Sequence, residues 1–223
     1  MLITLYDFLV FVHILLFVFW LGADMGVAVL GHHFRKRSYS MSERLTILKL
    51  LGIIDMFPRS AWALMVPLSL SLLTVGGYWT LTTEVVLLIW LLGFGWLLLV
   101  WQIHLKPKNP SISKLKKIEF VLKLFLASFY TLLGLISLYW NDPISEYWLA
   151  TKSLLFGLIF WSAIMIDLRF RDLSPALVKL VEQGSTDETE SETLKIMNRS
   201  RFWVRVVYLL LVMTAFVGTT KFY

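Results

Sequence analysis

The stretch HILLFVFWLGADMGVAVLGHH, residues 13–33, belongs to the first long apolar run of the chain, yet it carries His13 and Asp24. The run covers about residues 3–31 and exceeds the ~20 residues that a helix needs to cross a bilayer. A charge or an imidazole is costly at bilayer depth, so residues of this kind are expected to be functional and to have partners on other segments.

The composition indicates a polytopic membrane protein. Hydrophobic residues make up 58% of the 223 residues, with 10 Trp and 16 Phe, which is more apolar material than a soluble domain of this length buries. The chain has no cysteine. Disulfides, thiolate nucleophiles, iron–sulfur clusters and covalent c-type haem attachment are therefore excluded.

Five further apolar runs follow the first. They cover about residues 50–76, 84–105, 119–140, 147–168 and 202–220. Each is near or above the length needed to cross a membrane. We therefore predict an all-α membrane bundle of six transmembrane helices, forming a single transmembrane domain over residues 1–223.

Basic residues alternate between the connections. The segments at 77–84 and 141–147 contain neither Lys nor Arg. The other connections hold Arg35, Lys36, Arg37 and Arg44, then Lys106, Lys108, Lys114, Lys116 and Lys117, and finally Arg169, Arg171, Arg199 and Arg201. The positive-inside rule then predicts both termini outside and the basic connections in the cytoplasm of a bacterial inner membrane. The net charge of +6 is thus topological, and nucleic acid is not an expected partner.

The only long connection, residues 172–198, is predicted to be a cytoplasmic linker. Ser174 followed by Pro175 resembles a helix start, and Gly184 would end a short amphipathic surface helix. The tract STDETESET, residues 185–193, is polar and charged, without aromatic residues. It is expected to be a mobile linker.

His13, Trp20 and Asp24 fall on one face of the first helix at ~100° per residue. Gly22 and Gly26 lie on the other side, where their spacing favours the close approach of another helix. The first helix is therefore predicted to pack tightly on one side and to present polar chemistry on the other.

His13 and Lys152 are predicted to lie at matching depth, ~9 Å below the outer ends of their helices. A lysine there either snorkels outward or meets an anion, and the carboxylate of a ligand would serve as well as a protein side chain. Imidazole is the usual protein ligand of haem iron, which makes His13 the sharpest candidate in the chain.

A second polar cluster, nearer the cytoplasm, is expected to contain Asp24, Asp55 and Arg59, with His104 a further candidate. Asp55 and Arg59 are spaced for an ion pair along one helix. Two interpretations stay open: a salt bridge that locks the first helix to the second, or an anion, propionate or proton-transfer site at which Asp24 acts.

The remaining histidines are interpreted as residues at the membrane surface. His32 and His33 are followed by Phe-Arg-Lys-Arg, and His104 is followed by Leu-Lys-Pro-Lys. Contact with solvent and lipid headgroups is expected of all three.

A family resemblance rests on three motifs. The pattern His13-Ile14, Trp20, Gly22-Ala23 and a histidine about twenty residues after the first resembles the first helix of the small bacterial membrane protoporphyrinogen oxidases. Relatives of that form include the membrane domain of bacterial urate oxidases and the copper-resistance D-type proteins. The stretch YWLATKSLLFGLIF is similar to the family's Trp-Leu-x-x-Lys-x-x-Leu segment, and NRSRFWVRVVYLLLV resembles the start of its last helix.

The resemblance implies a helical bundle that binds b-type haem in some branches. It implies that His13 is an axial ligand or a proton-handling residue, and that Lys152 holds a propionate or a substrate carboxylate. The segment IDMFPRSAW, residues 54–62, departs from the pattern, and Asp24 stands where those enzymes are apolar. Protoporphyrinogen oxidation and a related redox reaction both stay open.

These observations predict a haem-b-binding membrane redox protein that acts in electron transfer or porphyrin-type oxidation, with a porphyrin or a redox protein as partner. Trp20 and Arg59 are candidate cofactor contacts, and Met213 is a candidate second iron ligand. A copper transporter is the first alternative, although its soft ligands would be clustered, whereas the 8 Met here are scattered. A cofactor-free scaffold subunit is the second alternative. Homo-oligomerisation is left open.

Overall fold

The computed structural model describes residues 3–107 and 109–221, and 85% of the structure is helical. Across that part of the chain there are seven α-helices and no strand. They are α1 (Leu5–Phe34), α2 (Met41–Val75), α3 (Thr83–Leu105), α4 (Ile112–Trp140), α5 (Tyr147–Phe170), α6 (Leu173–Gln183) and α7 (Asp187–Thr220). Lys108, assigned above to a cytoplasmic loop, lies outside the described residues.

Six helical stretches of the described chain are long and apolar enough to cross a membrane. The predicted all-α fold with six membrane-spanning helices is therefore confirmed. The location of the two termini stays a prediction, as does the single transmembrane domain.

The chain divides into two compact units. Unit 1 consists of Met1–Leu30 and Leu50–Val121, and unit 2 consists of Gly31–Lys49 and Leu122–Tyr223. Unit 1 therefore contains most of α1 and α2, all of α3 and the start of α4. Unit 2 contains the connection between α1 and α2, the remainder of α4, and α5 to α7.

Two helices begin well before the apolar runs that predicted them. α2 starts at Met41, because Ser40 and Glu43 form reciprocal hydrogen bonds between side chain and backbone. α7 starts at Asp187, where Thr186 and Thr189 form the same kind of capping box. The prediction of a mobile acidic linker is wrong, because most of this tract is the first part of α7 and its Glu190 side chain is buried.

The short amphipathic helix is confirmed as α6, which ends at Gln183 before Gly184. Gly184 has a φ of +80°, a conformation that glycine adopts without the steric penalty of a side chain. Ala176 and Leu180 are the buried residues of the helix. The helix begins at Leu173 instead of after Ser174, which places Pro175 within its first turn.

In unit 1, three tryptophans join α1, α2 and α3. The Trp20 and Trp62 ring centroids lie 5.7 Å apart, and those of Trp62 and Trp96 lie 5.2 Å apart. α3 also approaches α2 closely, since a Cβ atom on Gly93 would lie 2.6 Å from Cγ of Pro67. These contacts pack the three helices around an aromatic core.

The Gly-x-x-x-Gly pattern of α1 does not form the predicted close helix contact. A Cβ atom on Gly26 would lie 3.5 Å from Ile54 of α2, an ordinary van der Waals distance. A Cβ atom on Gly22 would meet nothing within 4 Å among the described residues. Only one of the two glycines thus faces another helix.

In unit 2, α4 and α5 pack through small and aromatic residues. A Cβ atom on Gly134 of α4 would lie 2.5 Å from the backbone nitrogen of Leu154. The Ser153 hydroxyl donates a hydrogen bond of 3.1 Å to the Tyr130 carbonyl, and the Tyr130 ring contacts Phe156 and Phe160. α7 packs on α5 and α6 and brings Gly218 beside Lys152.

Candidate functional site

The polar face of α1 is turned into unit 1. Trp20 is only 4% exposed, and its indole N–H donates a hydrogen bond to the Asp24 carboxylate one turn later. The opposite side of the helix carries the large exposed apolar residues, among them Phe11, Val18 and Met25. Those side chains are therefore suited to contact lipid, and the face shared by His13, Trp20 and Asp24 is the inward one.

His13 is half-buried on this inward face, and its Nδ1 atom is inaccessible to solvent. It lies within the body of α1, two turns before Trp20. The other three histidines differ, because His32 and His33 lie in the last turn of α1 and His104 lies in the last turn of α3. These three histidines therefore lie at helix ends, and their position at the membrane surface stays a prediction, whereas His13 lies inside a helix.

Asp24, Asp55 and Arg59 are brought together within unit 1. The Arg59 Nε donates a 2.6 Å hydrogen bond to Asp55, one turn away on α2. Asp24 on α1 lies close enough to interact electrostatically with both residues. The ion pair itself is therefore internal to α2, and Asp24 adds a second carboxylate from α1 beside it.

Part of this cluster stays accessible. The Arg59 side chain is 42% exposed and that of Asp55 is 27% exposed. His104 packs near the same part of α2, since a Cβ atom on Gly52 would lie 3.8 Å from its Cε1 atom. An arginine that keeps donors accessible beside its carboxylate partner can also bind a ligand anion.

Trp62 and Trp96 were missed in the sequence analysis. Both are buried, and they continue the aromatic contact that begins at Trp20. Trp62 follows Arg59 on the same helix, so spacing could have placed it near the polar cluster. Trp96 has no such local signal, because only the packing of α3 on α2 brings it there.

Lys152 lies in unit 2, where its side chain covers Gly218 of α7. A Cβ atom on Gly218 would lie 2.7 Å from Nζ and 3.3 Å from Cδ and Cε. The charged group that acts on Lys152 is another cation, Lys221. Lys221 in turn lies over the Trp148 ring, with Nζ 5.3 Å from the centroid. Among the described residues, Lys152 forms no ion pair with a carboxylate.

Lys221 is thus a second cation that sequence analysis missed. It is the first residue after α7, a position in which a lysine gives no sign of a binding site. Two neighbouring ammonium groups repel each other, and an anion placed between them would remove that repulsion. This end of unit 2 is therefore suited to a carboxylate or phosphate group.

Met213 lies on α7 in unit 2 and is 43% exposed. His13 lies in unit 1 and Lys152 in unit 2. Trp20, Asp24 and Arg59 share unit 1 with His13. The structure thus groups four of the six predicted site residues in one unit.

The donor set can be compared with the coordination needs of different metals. The described residues contain no group of three His, Cys, Asp or Glu side chains that could hold a metal ion by themselves. A haem needs less from the protein, because the porphyrin supplies the equatorial ligands and one imidazole suffices for an axial position. The half-buried imidazole of His13 fits that requirement.

No protein-family model, curated protein or solved structure matches this chain.

Proposed function

We propose that this protein is a haem-b-binding membrane protein that acts in electron transfer or porphyrin-type oxidation. The observation that carries the proposal is the inward polar face of α1, on which the half-buried His13 shares a side with the hydrogen-bonded pair Trp20 and Asp24. An imidazole inside a membrane-spanning helix costs free energy, so it is expected to have a function.

In this proposal His13 would bind the haem iron, or it would handle a proton beside the porphyrin. Bound haem would supply one-electron redox chemistry. The surrounding apolar residues of α1 would keep water away from the bound group. Met213 lies in unit 2, and its assignment as a second ligand stays a prediction from the sequence.

Arg59 of unit 1 is proposed to hold a carboxylate of the bound porphyrin, and Lys152 of unit 2 is proposed, independently, to bind a propionate or a substrate carboxylate. Lys152 has a cation as its charged neighbour, and the Arg59 side chain is 42% exposed. A charge-assisted hydrogen bond from either group to a propionate would fix the orientation of the ring. The same chemistry would also serve a substrate carboxylate.

Trp20 and Asp24 are proposed to position a proton next to the ligand site. The indole N–H holds the Asp24 carboxylate in place, and Asp55 with Arg59 lies on the neighbouring helix. A carboxylate in this environment can accept or release a proton during a redox step.

Absorption spectra of the full chain test the proposal. The protein is expressed with ample haem, purified, and scanned in its oxidised and reduced forms. A Soret band that shifts on reduction is expected, and His13→Ala should abolish or displace it. The matched control is His104→Ala, which removes a histidine at a helix end and should leave the spectrum unchanged.

Four results would contradict the proposal. The first is the lack of a Soret band after expression with haem, and the second is a band unaffected by His13→Ala. Bound copper without porphyrin would instead support copper transport, and a colourless, metal-free chain that co-purifies with a partner would support the scaffold alternative.

A further inference from the structure

Arg35 and Arg201 both lie in unit 2, near enough to interact electrostatically. Arg35 is the first residue after α1, and Arg201 lies on α7 directly before the exposed Phe202. Arg201 is the charged group that acts on Arg35. Like charges in proximity destabilise a fold unless an anion lies between them.

Arg35 has a buried donor that the described residues do not satisfy. Its Nε atom is buried, and no described residue accepts a hydrogen bond from it. A buried donor without an acceptor is destabilising, and more so when the group is charged. Burial, and next the charge of Arg201, lower the pKa of the Arg35 guanidinium from its ordinary value. An external acceptor would remove this penalty.

The acidic residues of the tract 185–193 already form ion pairs with other basic residues. Asp187 pairs with Arg37, Glu190 pairs with Arg44, and Glu188 and Glu192 both pair with Lys179. These four carboxylates are therefore occupied by Arg37, Arg44 and Lys179. Arg35 and Arg201 are left without such a partner among the described residues.

The position favours a lipid over a soluble anion. Phe202 is 62% exposed, and its ring lies edge-to-face against Trp203. Exposed aromatic residues of this kind are typical of a membrane interface. The residues before Arg35 form the last turn of a membrane-spanning helix. Guanidinium groups at this level meet lipid phosphates, and basic pockets on the cytoplasmic side of membrane helices bind anionic headgroups.

We propose that Arg35 and Arg201 bind the phosphate group of an anionic phospholipid at the predicted cytoplasmic surface of the membrane. The planar guanidinium of Arg35 would donate its buried Nε–H and an adjacent N–H to two phosphate oxygens. The exposed Arg201 would contact the same group from α7, while the acyl chains would extend along Phe202 and the apolar part of α7.

The test is the thermal unfolding of the purified full chain in a neutral detergent. Midpoints are measured without lipid, with phosphatidylcholine and with phosphatidylglycerol. Phosphatidylglycerol is expected to raise the midpoint of the wild type, because it binds the native state. Arg201→Gln should weaken the apparent affinity by about tenfold, which corresponds to the loss of one charge-assisted hydrogen bond. Arg35→Gln should do the same.

The control variants are Lys36→Gln and Arg199→Gln, which remove one positive charge each from neighbouring exposed positions. They are expected to keep the response to phosphatidylglycerol. An equal loss in these controls would mean that general surface charge binds the lipid, and it would overturn the proposal.

The thermal midpoint of Arg201→Gln without lipid distinguishes a lipid-binding role of Arg201 from a structural role. Arg201→Gln relieves the repulsion of Arg35, so the variant should be at least as stable as the wild type in lipid-free detergent. A lower midpoint both with and without lipid would indicate a structural role and overturn the proposal. Arg201 is exposed, so its variant is expected to fold even if Arg35→Gln does not.

A final measurement distinguishes a lipid phosphate from free inorganic phosphate as the bound group. Inorganic phosphate is added to the wild type in place of phosphatidylglycerol, at the same concentration. Little stabilisation is expected, because the free ion gains nothing from the apolar surface beside Arg201. Equal stabilisation by inorganic phosphate would overturn the lipid assignment.

Discussion

Arg44 and Glu190 form a buried two-point ion pair in unit 2. Nη1 of Arg44 lies 2.5 Å from Oε1 of Glu190, and Nη2 lies 3.1 Å from Oε2. The remaining donor, Nε, binds the Phe34 carbonyl at the end of α1, and the Ser185 hydroxyl donates to Glu190. The pair therefore links the start of α2, the end of α1 and the start of α7.

Breaking this pair should be strongly destabilising. Glu190→Gln leaves the Arg44 charge buried without its counterion, and such a change typically costs about 3–5 kcal/mol. We expect a clear fall in the thermal midpoint of the detergent-solubilised protein. The control is Arg37→Gln, which removes an ion pair with side chains that are 48% and 98% exposed. Its cost should be within about 1 kcal/mol, and similar losses for both variants would refute this interpretation.

The capping box of α7 should keep its first turns ordered. Thr186→Ala removes the side-chain oxygen that accepts from the Thr189 backbone N–H, at a cost of about 1 kcal/mol. Amide hydrogen exchange over the first turns of α7 should become faster. Ser191→Ala, an exposed change within the helix, serves as the control and should leave exchange unchanged.

Two glycine variants should have opposite effects. A Cβ atom at Gly134 would collide with the Leu154 backbone, so Gly134→Ala should destabilise unit 2 by about 1–3 kcal/mol. A Cβ atom at Gly95 of α3 would meet nothing within 4 Å, so Gly95→Ala should be neutral or stabilise by up to about 1 kcal/mol. The thermal midpoints of the two variants are compared with that of the wild type. A lower midpoint for Gly95→Ala would contradict the described packing.

If the proposed function is right, Lys152 should govern haem retention without governing the iron spectrum. Lys152→Gln should lower the affinity for haem by about tenfold, because one charge-assisted contact to a propionate is lost. The position of the Soret band should stay as in the wild type. Gly218→Ala should have a smaller effect, since its Cβ displaces the ammonium but keeps the charge. Titration of the apoprotein with haem measures both, with Lys195→Gln as the control.

The absence of cysteine allows a clean test of topology. Ser38→Cys places a thiol between α1 and α2, and Thr80→Cys places one between α2 and α3. By the positive-inside rule, a membrane-impermeant maleimide should label intact cells at position 80 only. Lysed cells, in which both positions react, are the control for accessibility. Labelling at position 38 in intact cells would reverse the predicted orientation.

The polar face of α1 was predictable because helical periodicity is local. His13, Trp20 and Asp24 recur at the spacing of one helix face, and the structure turns Trp20 and Asp24 inward as expected. The ion pair of Asp55 and Arg59 was predictable for the same reason, since its partners lie one turn apart. The start of α2 also had a local signal, the Ser-x-x-Glu pattern that begins at Ser40.

The sequence by itself determined the membrane-spanning class of this protein and the residues that share a helix face, because apolar length and periodicity are properties of consecutive residues. Only the tertiary structure decided that Glu190 is buried against Arg44, that Trp96 reaches Trp62, and that Lys152 has Lys221 beside it. Each of these contacts joins residues far apart in the chain. Their energies depend on which helices pack together, and no local pattern carries that information.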